Sequence, residues 1–129
     1  MENLTTIIMI VAAVAVIGTF IAPGALASLR SPPEEADKIR TLVDDGEAVV
    51  VDVRTPREFS HNGLDGALNL PLQQLSQHHR ELGDKDKPLV LYCRSGSRSA
   101  QAKNLLEQMG YEEVYDLGSV GSAARVLEE

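Results

Sequence analysis

Two short apolar runs, Ala48-Val49-Val50-Val51-Asp52-Val53 and Pro88-Leu89-Val90-Leu91-Tyr92, lack the in-out alternation of a strand with one wet face. A strand that is apolar at nearly every position must be covered on both sides, which is the condition of a strand inside a parallel sheet with helices over each face. The segments around the runs have helical spacing. Ser31-Pro32-Pro33-Glu34 has the form of a capping box with proline in the first turn, and Ala36, Ile39, Leu42 and Val43 follow on one face as far as Gly46. Thr55-Pro56-Arg57-Glu58 repeats that signature and predicts one short helical turn, before a loop marked by Gly63 and Gly66. Ala67 to Leu70 reads as a brief strand ending at Pro71, and Leu72, Leu75, His79 and Leu82 predict a helix before Gly83. Ala102, Leu105, Leu106 and Met109 share a helical face with Gly110 as its cap, and Val114 to Leu117 reads as the final strand. Strands alternating with helices predict an α/β domain with a small, mostly parallel sheet and right-handed crossovers.

The chain divides before this pattern begins. Leu4 to Ala22 is an uncharged apolar stretch, long enough to cross a hydrocarbon core of about 30 Å as a helix. Glu2 precedes it, whereas Arg30, Lys38 and Arg40 follow it, so a segment acting as an anchor places the following domain in the cytoplasm. The competing expectation is a cleavable export signal, with Pro23 and Gly24 breaking the helix and Ala25-Leu26-Ala27 as the cleavage site, although a positive n-region is missing. A buried soluble helix is a third reading, disfavoured because no polar face exists. Residues 1–29 are therefore expected to be a transmembrane anchor or signal segment, and residues 31–127 the folded domain.

The formal net charge is −7 and no basic run occurs, which argues against nucleic acid as a partner, since phosphate affinity comes from clustered Lys and Arg. His61, His78 and His79 lack companion ligands at metal spacing, so neither a metal nor a cofactor is expected. Cys93 is the one cysteine, which excludes an internal disulfide and leaves two fates, an inert buried residue or a reactive thiol.

The neighbours of Cys93 favour reactivity. Cys93-Arg94-Ser95-Gly96-Ser97-Arg98-Ser99 lies between a predicted buried strand and a predicted helix, the place where open α/β sheets bind ligands. A tight loop there aims backbone N–H groups inward as an anion-binding nest, and Gly96 permits the turn. The helix entrance adds unpaired N–H groups and the positive end of its dipole. Arg94 and Arg98 add full charges, so the thiol is expected to be a thiolate near neutral pH, with Arg98 the more structural of the two. The same cradle suits a persulfide anion and an oxyanion donor. An inert buried Cys93 is the bland alternative, disfavoured by two arginines and a glycine so close by.

These residues resemble the active-site loop of the rhodaneses, which are thiosulfate:cyanide sulfurtransferases. The resemblance extends to Val51-Asp52-Val53-Arg54 with Glu58-Phe59, to Gly66-Ala67-Leu68-Asn69-Leu70-Pro71, and to Gly110-Tyr111, Val114-Tyr115 and Leu117-Gly118. It implies that Cys93 is the sulfur-accepting nucleophile, that Arg94, Ser95, Gly96, Ser97, Arg98 and Ser99 form the loop around it, and that Asp52 and Arg54 support strand ends beside the site. It also implies a donor such as thiosulfate and a cyanide, thiol or protein acceptor. The Cys93-to-Arg98 loop is one residue shorter than that of related dual-specificity phosphatases, which favours sulfur over phosphate. A membrane-held sulfur carrier with little small-molecule turnover, or a phosphatase or arsenate reductase on the same scaffold, are the other readings. The chain departs from many relatives at Asn62-Gly63, where they have Gly-His, and at Gly118-Ser119, where they have Gly-Gly followed by a Trp that this sequence lacks.

Overall fold

The computed structural model describes residues 33–128. Both expectations for the apolar stretch Leu4–Ala22, anchor and cleaved signal, lie outside the described residues, as does the Ser31 cap. Among the described residues no helix is long and apolar enough to cross a membrane.

Helix α1 spans Pro33–Asp44, and the chain turns at Gly46 into strand β1, Val49–Asp52. Helix α2 covers Pro56–Asn62, followed by the two-residue strand β2 at Leu68–Asn69. The Leu72–Leu82 segment departs from the single helix that its spacing predicts. It consists of a 3-10 turn (Leu72–Gln74), the one-turn helix α3 (Leu75–His78) and a second 3-10 turn (His79–Leu82). Its fully buried residues are Leu75 and Leu82, while Leu72 and His79 are half-buried, so the predicted face is kept although the helix is broken. Strand β3 (Leu89–Cys93) leads into helix α4 (Ser97–Gln108), and strand β4 (Val114–Ser119) into helix α5 (Val120–Leu127). The last strand is thus two residues longer than predicted. Helix α5 was not foreseen; Ser119 caps it by accepting the Ser122 N–H at 3.1 Å.

All pairings are parallel, and the strand order is β2-β1-β3-β4. The period-2 geometry of β3 divides the core. Leu89, Leu91 and Cys93 face one layer, with Val51, Leu75, Leu82, Ala102 and Leu106. Val90 and Tyr92 face the other, with Val50, Ile39, Leu117 and Ala123. Every residue of β3 is buried, as its unbroken apolar run requires. The sheet therefore delivers Cys93 at the carboxyl end of its most deeply buried strand.

Candidate active site

Strand β3 ends at Cys93, and residues 94–96 turn the chain into α4. The turn requires a left-handed backbone at Gly96, where φ is 99°, a conformation that costs a residue with a side chain about 1–2 kcal/mol. Gly96 also lies close to the end of β4: a Cβ there would stand 3.6 Å from the Gly118 Cα. The Gly118 N–H donates to Asp116 Oδ1 at 2.9 Å, which holds that second turn.

Helix α4 has no side-chain cap on its leading amides. The Cys93 sulfur is the acceptor instead, receiving the Gly96 N–H at 3.0 Å. As a thiol, Cys93 donates to Ser99 Oγ at 3.5 Å, and the Ser99 hydroxyl donates to the Gly96 carbonyl at 3.1 Å. Loss of the thiol proton frees the Ser99 O–H to turn toward the sulfur. Burial alone pushes the Cys93 thiol up, but the Ser99 hydroxyl and the Ser99, Gly96 and Ser95 amides together outweigh it and hold the thiol below its ordinary value.

Cys93 has no exposed surface and forms part of the apolar layer under α4, yet the atoms that touch its sulfur by hydrogen bonds are polar. Of the two contributions expected, loop N–H groups and arginine charges, the donor groups of the loop are the ones that lower the thiol most. Arg98 forms a two-pronged pair with Glu58, each contact 2.8 Å. Arg94 is exposed at the outer side of the loop. Ser95 and Ser97 are exposed too, whereas Ser99 is fully buried.

Asp52 and Arg54 form a buried pair beneath the site, with Arg54 Nη2 2.7 Å from Asp52 Oδ2 and both side chains almost without exposure. Asp52 Oδ1 also accepts the Arg54 backbone N–H at 2.8 Å, and Arg54 Nη1 donates to Asn62 Oδ1 at 2.7 Å. Asn69 Nδ2 donates to the carbonyls of both Asp52 and Arg54, tying β2 to the same junction. The Asn62-Gly63 departure is thereby given a structural use. Asn62 completes the Arg54 shell, and a Cβ on Gly63 would collide with the Phe59 ring and carbonyl.

An open cavity of about 730 Å³ lies beside the loop, between α2 and Arg94. Arg57, Glu58, His61 and Asn62 of α2 line it, together with Arg54, Arg94 and Val120. In sequence Glu58 reads as a cap and as part of the resemblance, His61 reads as ordinary, and Arg57 carries no site role. Their 3- and 4-residue spacing on α2, with Thr55 Oγ1 accepting the Glu58 N–H to start the helix, is the signal that places them on one side.

Comparison with known proteins matches residues 35–120 to the model of the rhodanese-like domain. The chain is 42% identical over 71 residues to the Bacillus subtilis protein YqhL, a match covering 55% of this chain and 56% of that one. It is 41% identical over 76 residues to a sulfurtransferase of Allochromatium vinosum, covering 59% and 70% of the two chains. It is 33% identical over 75 residues to the thiosulfate sulfurtransferase PspE of Escherichia coli, covering 57% and 72%. Among solved structures, a rhodanese with anions from E. coli superposes with a TM-score of 0.56 at 32% identity, covering 58% of this chain and 89% of that one. A parallel sheet that ends in a cysteine wrapped by a glycine-turned loop, matched by a family model over most of the described residues, makes this chain a member of the rhodanese-like domain family.

Proposed function

We propose that the chain is a sulfurtransferase that carries sulfane sulfur on Cys93. The observation that carries this reading is the polar cradle around one sulfur atom: the Gly96 N–H donating at 3.0 Å, the Ser99 Oγ at 3.5 Å, and a thiol held below its ordinary value. Such a cradle stabilises a sulfur anion, whether thiolate or persulfide, by preorganised hydrogen bonds. Relatives named sulfurtransferase and thiosulfate sulfurtransferase support the same assignment.

The proposed cycle has two displacements at sulfur. In the first, the Cys93 thiolate attacks the outer sulfur of thiosulfate, an S–S bond forms as the donor's S–S bond breaks, and sulfite leaves with the electron pair. In the second, cyanide or a thiolate attacks the outer sulfur of the Cys93 persulfide, the Cys93 S–S bond breaks, and the Cys93 thiolate is restored. Charge balances in both, and the Gly96 and Ser99 donors face an anionic sulfur at the start and end of each. The side chains of Asp52, Arg54 and Arg98 hold the loop and strand ends, and they do not react.

Intact-mass measurement of the domain after thiosulfate tests the reading. One added sulfur on wild-type protein, absent from Cys93→Ser, supports it. Folded wild-type protein that gains no sulfur from thiosulfate or from an organic persulfide overturns it.

A further inference from the structure

We propose that the cavity between α2 and Arg94 is a binding site for an organic thiol bearing carboxylate groups, and that Arg57 with Arg94 selects such thiols as sulfur acceptors. This rests on the sulfurtransferase reading of Cys93 and deepens it by assigning the acceptor's chemistry.

Charge accounting carries the first step. Four arginines border the loop and cavity. Arg54 is matched by Asp52 and Arg98 by Glu58, at 2.7 and 2.8 Å. Arg57 and Arg94 have no carboxylate partner among the described residues, although both line the cavity. The Glu58 carboxylate in the same wall is already engaged by Arg98. What the cavity offers is therefore two free guanidinium groups, with the His61 ring and the Asn62 amide beside them. On a chain of net charge −7, a cationic concavity is a local reversal of sign that draws anions to one place.

Size carries the second step. A thiosulfate-sized oxyanion fills a small part of about 730 Å³, whereas pockets of roughly 300–1,000 Å³ suit organic ligands with a carbon framework. Val120, the first residue of α5, is the apolar side chain in the cavity's lining. Arg94 directly follows Cys93, so the cavity's lining includes the first residue of the loop that holds the sulfur. The acceptor enters as thiolate, attacks the outer sulfur of the Cys93 persulfide, and leaves as its own persulfide while Cys93 departs as thiolate. No other reactant is needed.

The test separates loading from unloading. Protein is loaded with thiosulfate, loading is confirmed by mass, and loss of the extra sulfur is followed with mercaptosuccinate and with the neutral thioglycerol at matched thiolate concentrations. Mercaptosuccinate should unload wild-type protein several-fold faster at limiting concentration. Arg57→Glu should reduce that preference about fivefold, roughly the effect of exposed charge contacts, and Arg57→Lys should keep most of it. Equal rates for the two thiols on loaded wild-type protein overturn the inference, as does an unchanged preference in Arg57→Glu. Failure to load at all overturns the sulfurtransferase reading instead, so the two failures are distinct.

Discussion

Glu58, in the first turn of α2, grips Arg98, in the first turn of α4, through two parallel contacts of 2.8 Å across 40 positions of sequence. The pair joins the wall of the cavity to the loop that wraps Cys93. The Arg98 guanidinium and the Thr55 hydroxyl hold the Glu58 carboxyl down at about 2, against an ordinary value of 4.5. Because the folded value is depressed, the stabilisation is complete above pH 4.5 and is lost as pH falls toward 2. Glu58→Gln should therefore lower stability by about 1 kcal/mol at neutral pH, since the pair is partly exposed. Denaturant unfolding at pH 7 and pH 3 checks this: the gap between the two proteins should narrow at the lower pH.

Ser99 is buried in α4 and has a second role beyond packing, since its Oγ accepts from the Cys93 thiol at 3.5 Å and can donate to the thiolate. Ser99→Ala removes that donor and leaves burial, which raises the thiol, opposed only by amides. Alkylation of Cys93 by iodoacetamide should then show its rise in rate shifted to higher pH. An unshifted profile would mean that the amides alone set the acidity.

The strands and the cysteine loop were legible in sequence because each is a local pattern. Val49 to Val53 and Leu89 to Tyr92 announce their double burial by lacking alternation, and Cys93 stands out by its polar, glycine-containing surroundings. What was missed depends on distance in the chain. Glu58 reads as a capping residue from Thr55 and Pro56, and nothing near it reports that Arg98 will arrive from 40 positions away. The charge of Arg98, counted alone in sequence, is matched in space by that same Glu58. The Leu72–Leu82 segment keeps apolar residues at helical spacing yet breaks into short turns, and spacing cannot report that only Leu75 and Leu82 are fully buried while Leu72 packs at the core's edge and His79 bonds Tyr111. Helix α5 went unread because Val120-Gly121-Ser122-Ala123 begins with poor helix formers, and its stability comes from packing Ala123 under the sheet.

Gly96 combines a left-handed backbone with the N–H that touches the sulfur. Gly96→Ala brings no hard clash, since its Cβ would meet Gly118 at 3.6 Å, so its cost is backbone strain. A loss of about 1–2 kcal/mol is expected if the loop keeps its shape. A loop that relaxes to a negative φ instead keeps stability but withdraws the amide from Cys93. Measuring unfolding and sulfur loading on one preparation separates these, and at least one must fall.

The Asp52–Arg54 pair lies deeper than any other ion pair among the described residues, and its removal is expected to be the most damaging change beside the site. Asp52 accepts from the Arg54 side chain on both oxygens and from its backbone N–H, so a neutral amide in its place cannot satisfy the same donors. Asp52→Asn leaves the Arg54 side chain, 3% exposed, without its counter-charge, and breaking one side of a buried pair costs about 3–5 kcal/mol. The damage would spread by geometry as well. Arg54 also orders Asn62 at the end of α2, and Asn69 bridges the Asp52 and Arg54 carbonyls to β2, so the junction between β1, α2 and β2 depends on one ion pair. Thermal unfolding of Asp52→Asn should show a large drop in midpoint. The double variant Asp52→Asn with Arg54→Met should recover part of it, because the uncompensated charge has gone. If the double variant is less stable than the single one, the value of Arg54 lies in its bonds to Asn62 and the strand ends, and not in neutralising Asp52.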